Sequence, residues 1–433
     1  MSLAAGALLV ALLVAAGWWP SRALLPWLAG GGIATRLSAA CACGAALTGL
    51  VQVALGLFGV PAGWAAPGVL AALSLLAGAR VAVAAAPEPL LPRGLAALLL
   101  AVGLLGTGAA VGTPFRSDGS KFWAPRAREL ARIGASEAPT LHDAARLGVH
   151  REYPLLVPSL LAPVFAVSPP DATSGPKLVL AALQLALLGL LAATLRRHGA
   201  RGLVLLAAVG SAPLLVLLDV RESAVSGGYV DGADALFLLG VVACIARLRA
   251  GDATRGTAAA AALFGGALLS TKVEGAVELG IVLAACALCR PWRPVLLPLA
   301  AGALALAVPT ILLRAGVAPD EPGFEPARLL AGDVLAARAL PVAAGVARLA
   351  LEASCLGLLP ALLAVQLARP GQAFGRLIAA GAVAFLLLSY LATTMDSQRH
   401  MQTSAHRVAW HWLPALTLLA AGAVARPEEA HGG

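Results

Sequence analysis

Long apolar runs separated by short polar breaks set the pattern of this chain. Read between charges and Pro/Gly breaks, the runs fall near 2–17, 37–58, 67–86, 94–112, 177–195, 203–218, 234–248, 257–271, 275–289, 295–313, 352–367, 377–393 and 409–425. About 20 residues of helix cross the hydrocarbon core of a bilayer, so the pattern predicts an all-α polytopic membrane protein with about 13 transmembrane helices. The stretch from Leu37 to Ala79 carries no charged residue. Short segments of strictly alternating polarity, the mark of a transmembrane β-barrel, are missing. The first 17 residues lack a basic leading region and a small-residue cleavage site, so they are expected to be a span that is kept.

Composition agrees with this reading. Of the 433 residues, 60% are hydrophobic and 12% charged, against about 25% charged in soluble domains, which excludes a soluble enzyme. The dominance of Ala, Leu, Gly and Val suits helices whose small residues let backbones approach. Six cysteines, Cys41, Cys43, Cys244, Cys286, Cys289 and Cys355, lie in or beside apolar runs without zinc-ligand spacing, and are expected to be packing residues. The net charge of +9 reports topology rather than a nucleic-acid partner. Alternate loops collect fifteen arginines against Glu88, Asp252, Glu428 and Glu429, an excess of +11, while the opposite side carries an excess of −2. Basic loops face the cytoplasm, which places the carboxyl tail inside and the amino terminus outside.

Two segments are too polar to span and too long to be simple turns, residues 113 to 176 and 314 to 351, and both fall on the outer side. The stretch from Arg116 to Glu152 holds 12 of the acidic and basic residues yet also Phe122 and Trp123. It is expected to be folded polar matter on the membrane surface, ending in a short interfacial helix at YPLLVPSLLAPVF. Pro326 to Glu352, with Arg328, Arg338 and Arg348, reads as a helix lying along the outer surface.

Ionisable residues at or just outside helix ends are the default functional candidates in such a protein. The string DGSKFWAPRAREL offers Asp118, Trp123, Arg126 and Arg128. A carboxylate there can take a proton from an attacking group, and arginines can grip a phosphate bidentately, although the same residues suit a solvated interfacial helix. HREYPLLVP, with His150 and Tyr153, reads equally as a stiff turn or a membrane anchor. SGGYVDGADALF brings Tyr229, Asp231 and Asp234; two acids at i and i+3 suit a metal only with further ligands. STKVEGAVELG pairs Lys272 with Glu274, as a functional pair or a structural bridge, and puts Glu278 one turn further into an apolar run. Near the end, Arg399, His400, Ser404, His406, Arg407 and His411 gather. The histidine separations do not set an i, i+4 ligand pair, and no metal is expected.

Taken in order, these clusters resemble the GT-C superfamily, membrane glycosyltransferases that use polyprenyl-phosphate-linked sugars and include protein O-mannosyltransferases and lipid A aminoarabinose transferase. The resemblance rests on Asp118 followed by Phe122-Trp123 and Arg126-Ala127, and on His150, Glu152, Tyr153 and Pro154 through Pro158. It continues with Tyr229 and Asp231 at the start of a span, Thr271 to Gly275, and Ser404 with Arg407 before the last span. It covers roughly residues 94 to 425. Arg126 stands where lysine is commoner, and Gly232-Ala233-Asp234 replaces an apolar string, so no family role is expected for Asp234.

The resemblance implies a GT-C-like catalytic domain over 94–425, including the outer loop 113–176, preceded by helices of unassigned role in 1–93 and followed by a short cytoplasmic tail, 426–433. It implies inverting transfer of a sugar from a polyprenyl-phosphate donor to a lipid, glycan or protein acceptor, with Asp118 activating the acceptor. Lys272, Arg407 and Arg126 would neutralise the donor phosphate. Asp231 and Glu274 would orient substrate hydroxyls, with Trp123, Tyr153, His150 and Ser404 shaping the site. No cofactor is expected. The Ala-, Gly- and Arg-rich composition suggests a GC-rich bacterial genome, and the resemblance implies a bacterial inner membrane, the site facing outward among membrane lipids. The alternative is a secondary transporter with a polar site between broken helices, disfavoured because the acids crowd the outer boundary and no half-repeat is visible.

Overall fold

Every expected span that falls on described residues is a helix. The structure, a computed structural model, describes residues 1–29, 31–78, 108, 111, 114–115, 119–138, 153–169, 171–197, 230–249, 254–289, 293–315, 317, 325–351, 373–394 and 396–424. The expected spans 203–218 and 352–367 lie outside these residues, and of 94–112 only 108 and 111 are described.

The helices are α1 (Ser2–Leu24), α2 (Ile33–Leu57), α3 (Ala65–Gly78), α4 (Ala124–Leu130), α5 (Leu156–Val167), α6 (Ser174–Arg197), α7 (Asp231–Arg249), α8 (Arg255–Leu269), α9 (Glu274–Leu288), α10 (Arg293–Arg314), α11 (Gly332–Leu351), α12 (Ala373–Leu391) and α13 (Ser397–Val424). No strand is present among the described residues. Among the described residues, five helices are long and apolar enough to cross a membrane, Ser2–Leu24, Ile33–Leu57, Ser174–Arg196, Leu296–Arg314 and Ala373–Leu391. Leu297, Leu304, Ile311 and Leu312 on α10 and Leu73 and Leu76 on α3 are exposed, as lipid-facing side chains of an integral membrane protein must be. The described cysteines Cys41, Cys43, Cys244 and Cys286 are buried and unbridged.

The bundle is held by close backbone crossings. Where α1 meets α2, a Cβ at Gly44 would run into the Leu13 carbonyl oxygen and one at Gly17 into that of Ala40. In lipid, where apolar surface gains nothing by leaving water, such van der Waals packing of small residues is the main source of helix association. At the centre stands α7, buried at every position from Asp231 to Ile245 and packed by α6, α8, α9 and α13. A helix enclosed on all sides is apolar all round, and the buried stretch of α7 obeys this except at Asp231 and Asp234.

The expected short helix after Tyr153 is α5, and its surface is covered by neighbours from Leu156 to Phe165. Its apolar faces fit between α1, α2, α4 and α6. The surface segment 326–352 is a 3-10 turn, Pro326–Leu330, followed by α11. Leu335 and Leu340 of α11 are exposed, and the segment is pinned to the corner before α13, where Arg328 and Arg338 donate to the Thr393 carbonyl and the Glu325 amide to that of Ala392.

Candidate functional site

Three helices each carry two polar side chains one turn apart. Asp231 opens α7 one turn ahead of Asp234, Glu274 opens α9 ahead of Glu278, and Arg407 precedes His411 on α13. With a rise of about 5.4 Å per turn, each pair projects from one face of its helix, and where the faces converge they form two tiers.

The outer tier is an ion-pair network. Lys272 Nζ lies 3.0 Å from Asp231 Oδ1 and 3.2 Å from Glu274 Oε1, and Arg407 Nε lies 3.4 Å from Asp231 Oδ2. Asp231 and Glu274 also benefit from the positive ends of α7 and α9. Side-chain exposure falls from 22% at Glu274 and 17% at Arg407 to 3% at Lys272 and Asp231, so the tier opens toward Glu274 and Arg407. Burial alone would lower the proton affinity of Lys272; Asp231 and Glu274 outweigh it and hold the ammonium well above the ordinary lysine range. Its charge is therefore permanent.

The turn that carries Lys272 is rigid for local reasons. Thr271 Oγ1 donates to the Ala267 carbonyl at 2.7 Å, and Thr310 Oγ1 from α10 donates to Ser270 Oγ at 2.8 Å. A Cβ at Gly275 would strike the Leu268 carbonyl, which explains the glycine after Glu274. The Leu156 amide donates to the Ser270 carbonyl at 3.0 Å, tying the start of α5 to this turn. Two residues before Leu155, the Tyr153 ring stacks on Trp123, 5.6 Å between centroids and 8° from parallel. Tyr153 is near enough to Lys272 to raise its proton affinity. A small cleft lined by Val53, Tyr153, Leu155, Thr310, Leu313 and Arg314 lies alongside.

Lys272, Arg407, Asp231, Glu274 and Tyr153, scattered in sequence, thus meet around one turn, with Trp123 stacked behind Tyr153. Asp231 and Glu274, expected to orient substrate hydroxyls, both pair with Lys272. Arg126 is buried on α4, which packs on α5 and so stands one element behind the turn. Ser404, one turn before Arg407, bonds to Tyr390 Oη at 3.1 Å and donates to the His400 carbonyl at 2.8 Å, holding the corner between α12 and α13. Asp118, His150 and Tyr229 lie outside the described residues.

The inner tier is what spacing along the chain did not reveal. His411 is fully buried, with Nε2 at 2.8 Å from Asp231 Oδ1 and Nδ1 at 2.8 Å from Glu278 Oε1 and 3.0 Å from Asp234 Oδ2. Asp234, for which no role was expected, and His411 are central members. The i, i+3 relation of Asp231 and Asp234 and the one-turn step to Glu278 were visible in the sequence; the signal not used was that His411 stands in the same i, i+4 relation to Arg407.

An outer tier with two fixed cations, partly open on one side, can bind an anion such as a phosphate without recruiting a proton. No family model and no curated protein sequence matches the chain. Among solved structures it is similar to ArnT from Cupriavidus metallidurans, a crystal structure bound to undecaprenyl phosphate, with a TM-score of 0.50 and 19% identity over 78% of this chain and 61% of that one. The chain thus spans less than two thirds of that protein's length. The likeness is one of fold, and it agrees with the all-α polytopic architecture expected from the sequence.

Proposed function

We propose that the chain transfers a sugar from a polyprenyl-phosphate donor to a lipid, glycan or protein acceptor at the outer face of the membrane, with inversion. The observation that carries this reading is the convergence of Lys272 and Arg407 on Asp231, 3.0 and 3.4 Å away, at the open edge of a buried network. Support comes from the fold, shared with a protein solved with undecaprenyl phosphate bound.

In this mechanism the donor phosphate lies against Lys272 and Arg407. As the bond from the anomeric carbon to phosphate oxygen breaks, charge grows on the departing phosphate, and the two cations, already oriented by Asp231 and Glu274, stabilise it without reorganising. Asp118 takes the acceptor's proton as the acceptor attacks the opposite face of the anomeric carbon. Gly119 to Trp123 follow Asp118 directly and are anchored through the stack on Tyr153, beside the Lys272 turn. Arg126 adds positive charge behind the phosphate. His150 and Ser404 shape the site, and the isoprenoid tail runs between apolar helices.

The test uses protein in detergent with synthetic polyprenyl-phosphate sugars and a panel of lipid and glycan acceptors. Asp118→Asn is expected to abolish transfer while leaving donor binding near wild type, and Lys272→Met to weaken binding of polyprenyl phosphate itself. Full activity of Asp118→Asn overturns the assignment of the base. Unchanged phosphate binding in Lys272→Met overturns the site, and substrate flux in proteoliposomes without transfer would establish the transporter alternative.

A further inference from the structure

We infer that Asp234, Glu278 and His411 form a binding site for one divalent first-row transition-metal ion. Their donor atoms, one from each side chain, all lie within 4.8 Å of one another. The separations of 2.8 and 3.0 Å from His411 Nδ1 approach the ~3.0–3.4 Å edges of a coordination shell with bonds of ~2.1 Å. An imidazole with two carboxylates is a donor set for zinc, manganese, iron or cobalt rather than for calcium or magnesium.

Three observations favour an ion at this point. First, the demand on His411 exceeds what one nitrogen supplies. Nδ1 faces two carboxylates, while both Asp234 oxygens and Glu278 Oε2 are buried without a hydrogen bond of acceptable geometry. Asp234, Glu278 and His411 are each 0% exposed, so water does not relieve them. A buried acceptor left this way is costly, and one cation at the centre satisfies all three residues together.

Second, the ring is placed for ligation. Nδ1 faces Asp234 and Glu278 while Nε2 lies 2.8 Å from Asp231 Oδ1, so a metal on Nδ1 would leave the Nε2 proton to be donated to Asp231. A carboxylate accepting from the far nitrogen of a metal-bound histidine is the usual outer partner of such sites. Third, acidic ligands are in surplus. Among the described residues of the two tiers, the four carboxylates of Asp231, Asp234, Glu274 and Glu278 and the His411 ring meet only two other basic side chains, Lys272 and Arg407, and one divalent ion can hold this surplus together.

Spacing along the chain does not announce such a site, because the ligands come from three helices, with Glu278 and His411 separated by 133 positions. The ion, enclosed on all sides, would not meet substrate. It would clamp α7, α9 and α13 together and, through His411 and Asp231, fix Lys272 and Arg407 in place, which makes His411 a positioning residue. Metal content is independent of what the protein transfers.

The full chain, carrying a purification tag without histidines and prepared in detergent without chelators, is expected to hold about one equivalent of one first-row metal by elemental mass spectrometry. Stripping with dipicolinate should lower the melting temperature, and reloading with Zn2+ or Co2+ should restore it, with visible d–d absorption for Co2+. Asp234→Asn and Glu278→Gln are each expected to reduce the bound metal at least about tenfold and to lose the Co2+ band. If these variants do not fold, stripping and reloading the wild type decides. A wild type without stoichiometric metal, with neither a Co2+ band nor a melting shift on titration, overturns the inference and leaves protons to balance the network. Variants that keep the full metal content overturn it as well.

Discussion

Asp231 is the hub of the outer tier, and a double-mutant cycle with Lys272 measures how much. The two side chains are 3% exposed and 3.0 Å apart, so at an effective dielectric constant near 20 their gross attraction is ~5–6 kcal/mol. Desolvation takes back much of that, but removing one partner alone strands the other. Asp231→Asn leaves Lys272 with Glu274 only and turns Arg407 and His411 toward a neutral amide. Lys272→Met leaves Asp231 and Glu274 without their shared cation. Each single change is expected to destabilise the protein by ~3–5 kcal/mol. The double variant no longer strands either member and should be ~2–3 kcal/mol more stable than the sum of the singles predicts. Unfolding by SDS in mixed micelles, followed by tryptophan fluorescence, supplies the three differences. Additivity within ~0.5 kcal/mol would show that the pair is not coupled, and the hub would be refuted.

Other consequences are as direct. Gly44→Leu forces a side chain into the Leu13 carbonyl, and is expected to destabilise by ~1–3 kcal/mol or more and to lower the monodisperse fraction in size-exclusion chromatography. Ser404→Ala and Tyr390→Phe each remove one side of a 3.1 Å hydrogen bond; each should cost ~1 kcal/mol, and together less than their sum in the same SDS titration. A single cysteine at Ser117 in a cysteine-free background should react with an impermeant maleimide in intact cells, and protection until the membrane is opened would reverse the orientation set by the arginine bias.

The helices were legible because lipid demands long apolar segments, and most described ones begin and end near the ends of the apolar runs, although α1 continues to Leu24 and α13 starts at Ser397, well before its run at 409. The outer tier was legible in part: Lys272, Glu274 and Arg407 stand at span ends, where a charge is conspicuous. Asp234, Glu278 and His411 were harder. Asp234 and Glu278 sit one turn inside their helices and His411 in the middle of α13, and only the convergence of α7, α9 and α13 reveals that their partners are one another. His411 was weighed against His400 and His406, its neighbours in sequence, when its neighbours in space are carboxylates from two other helices.

The two-tier ladder has a mechanical meaning as well. Apolar helices in a bilayer can slide along one another with little penalty, since hydrocarbon surface meets hydrocarbon at every offset and small residues recur along each face. A polar rung permits no such freedom. Shifting α13 by one turn would carry His411 out of reach of Asp234 and Glu278 and bring Arg407 or Ala415 toward them instead. The rungs act as detents that set the vertical alignment of α7, α9 and α13. Loss of the inner rung should therefore loosen the axial registration of these helices before it unravels any one of them.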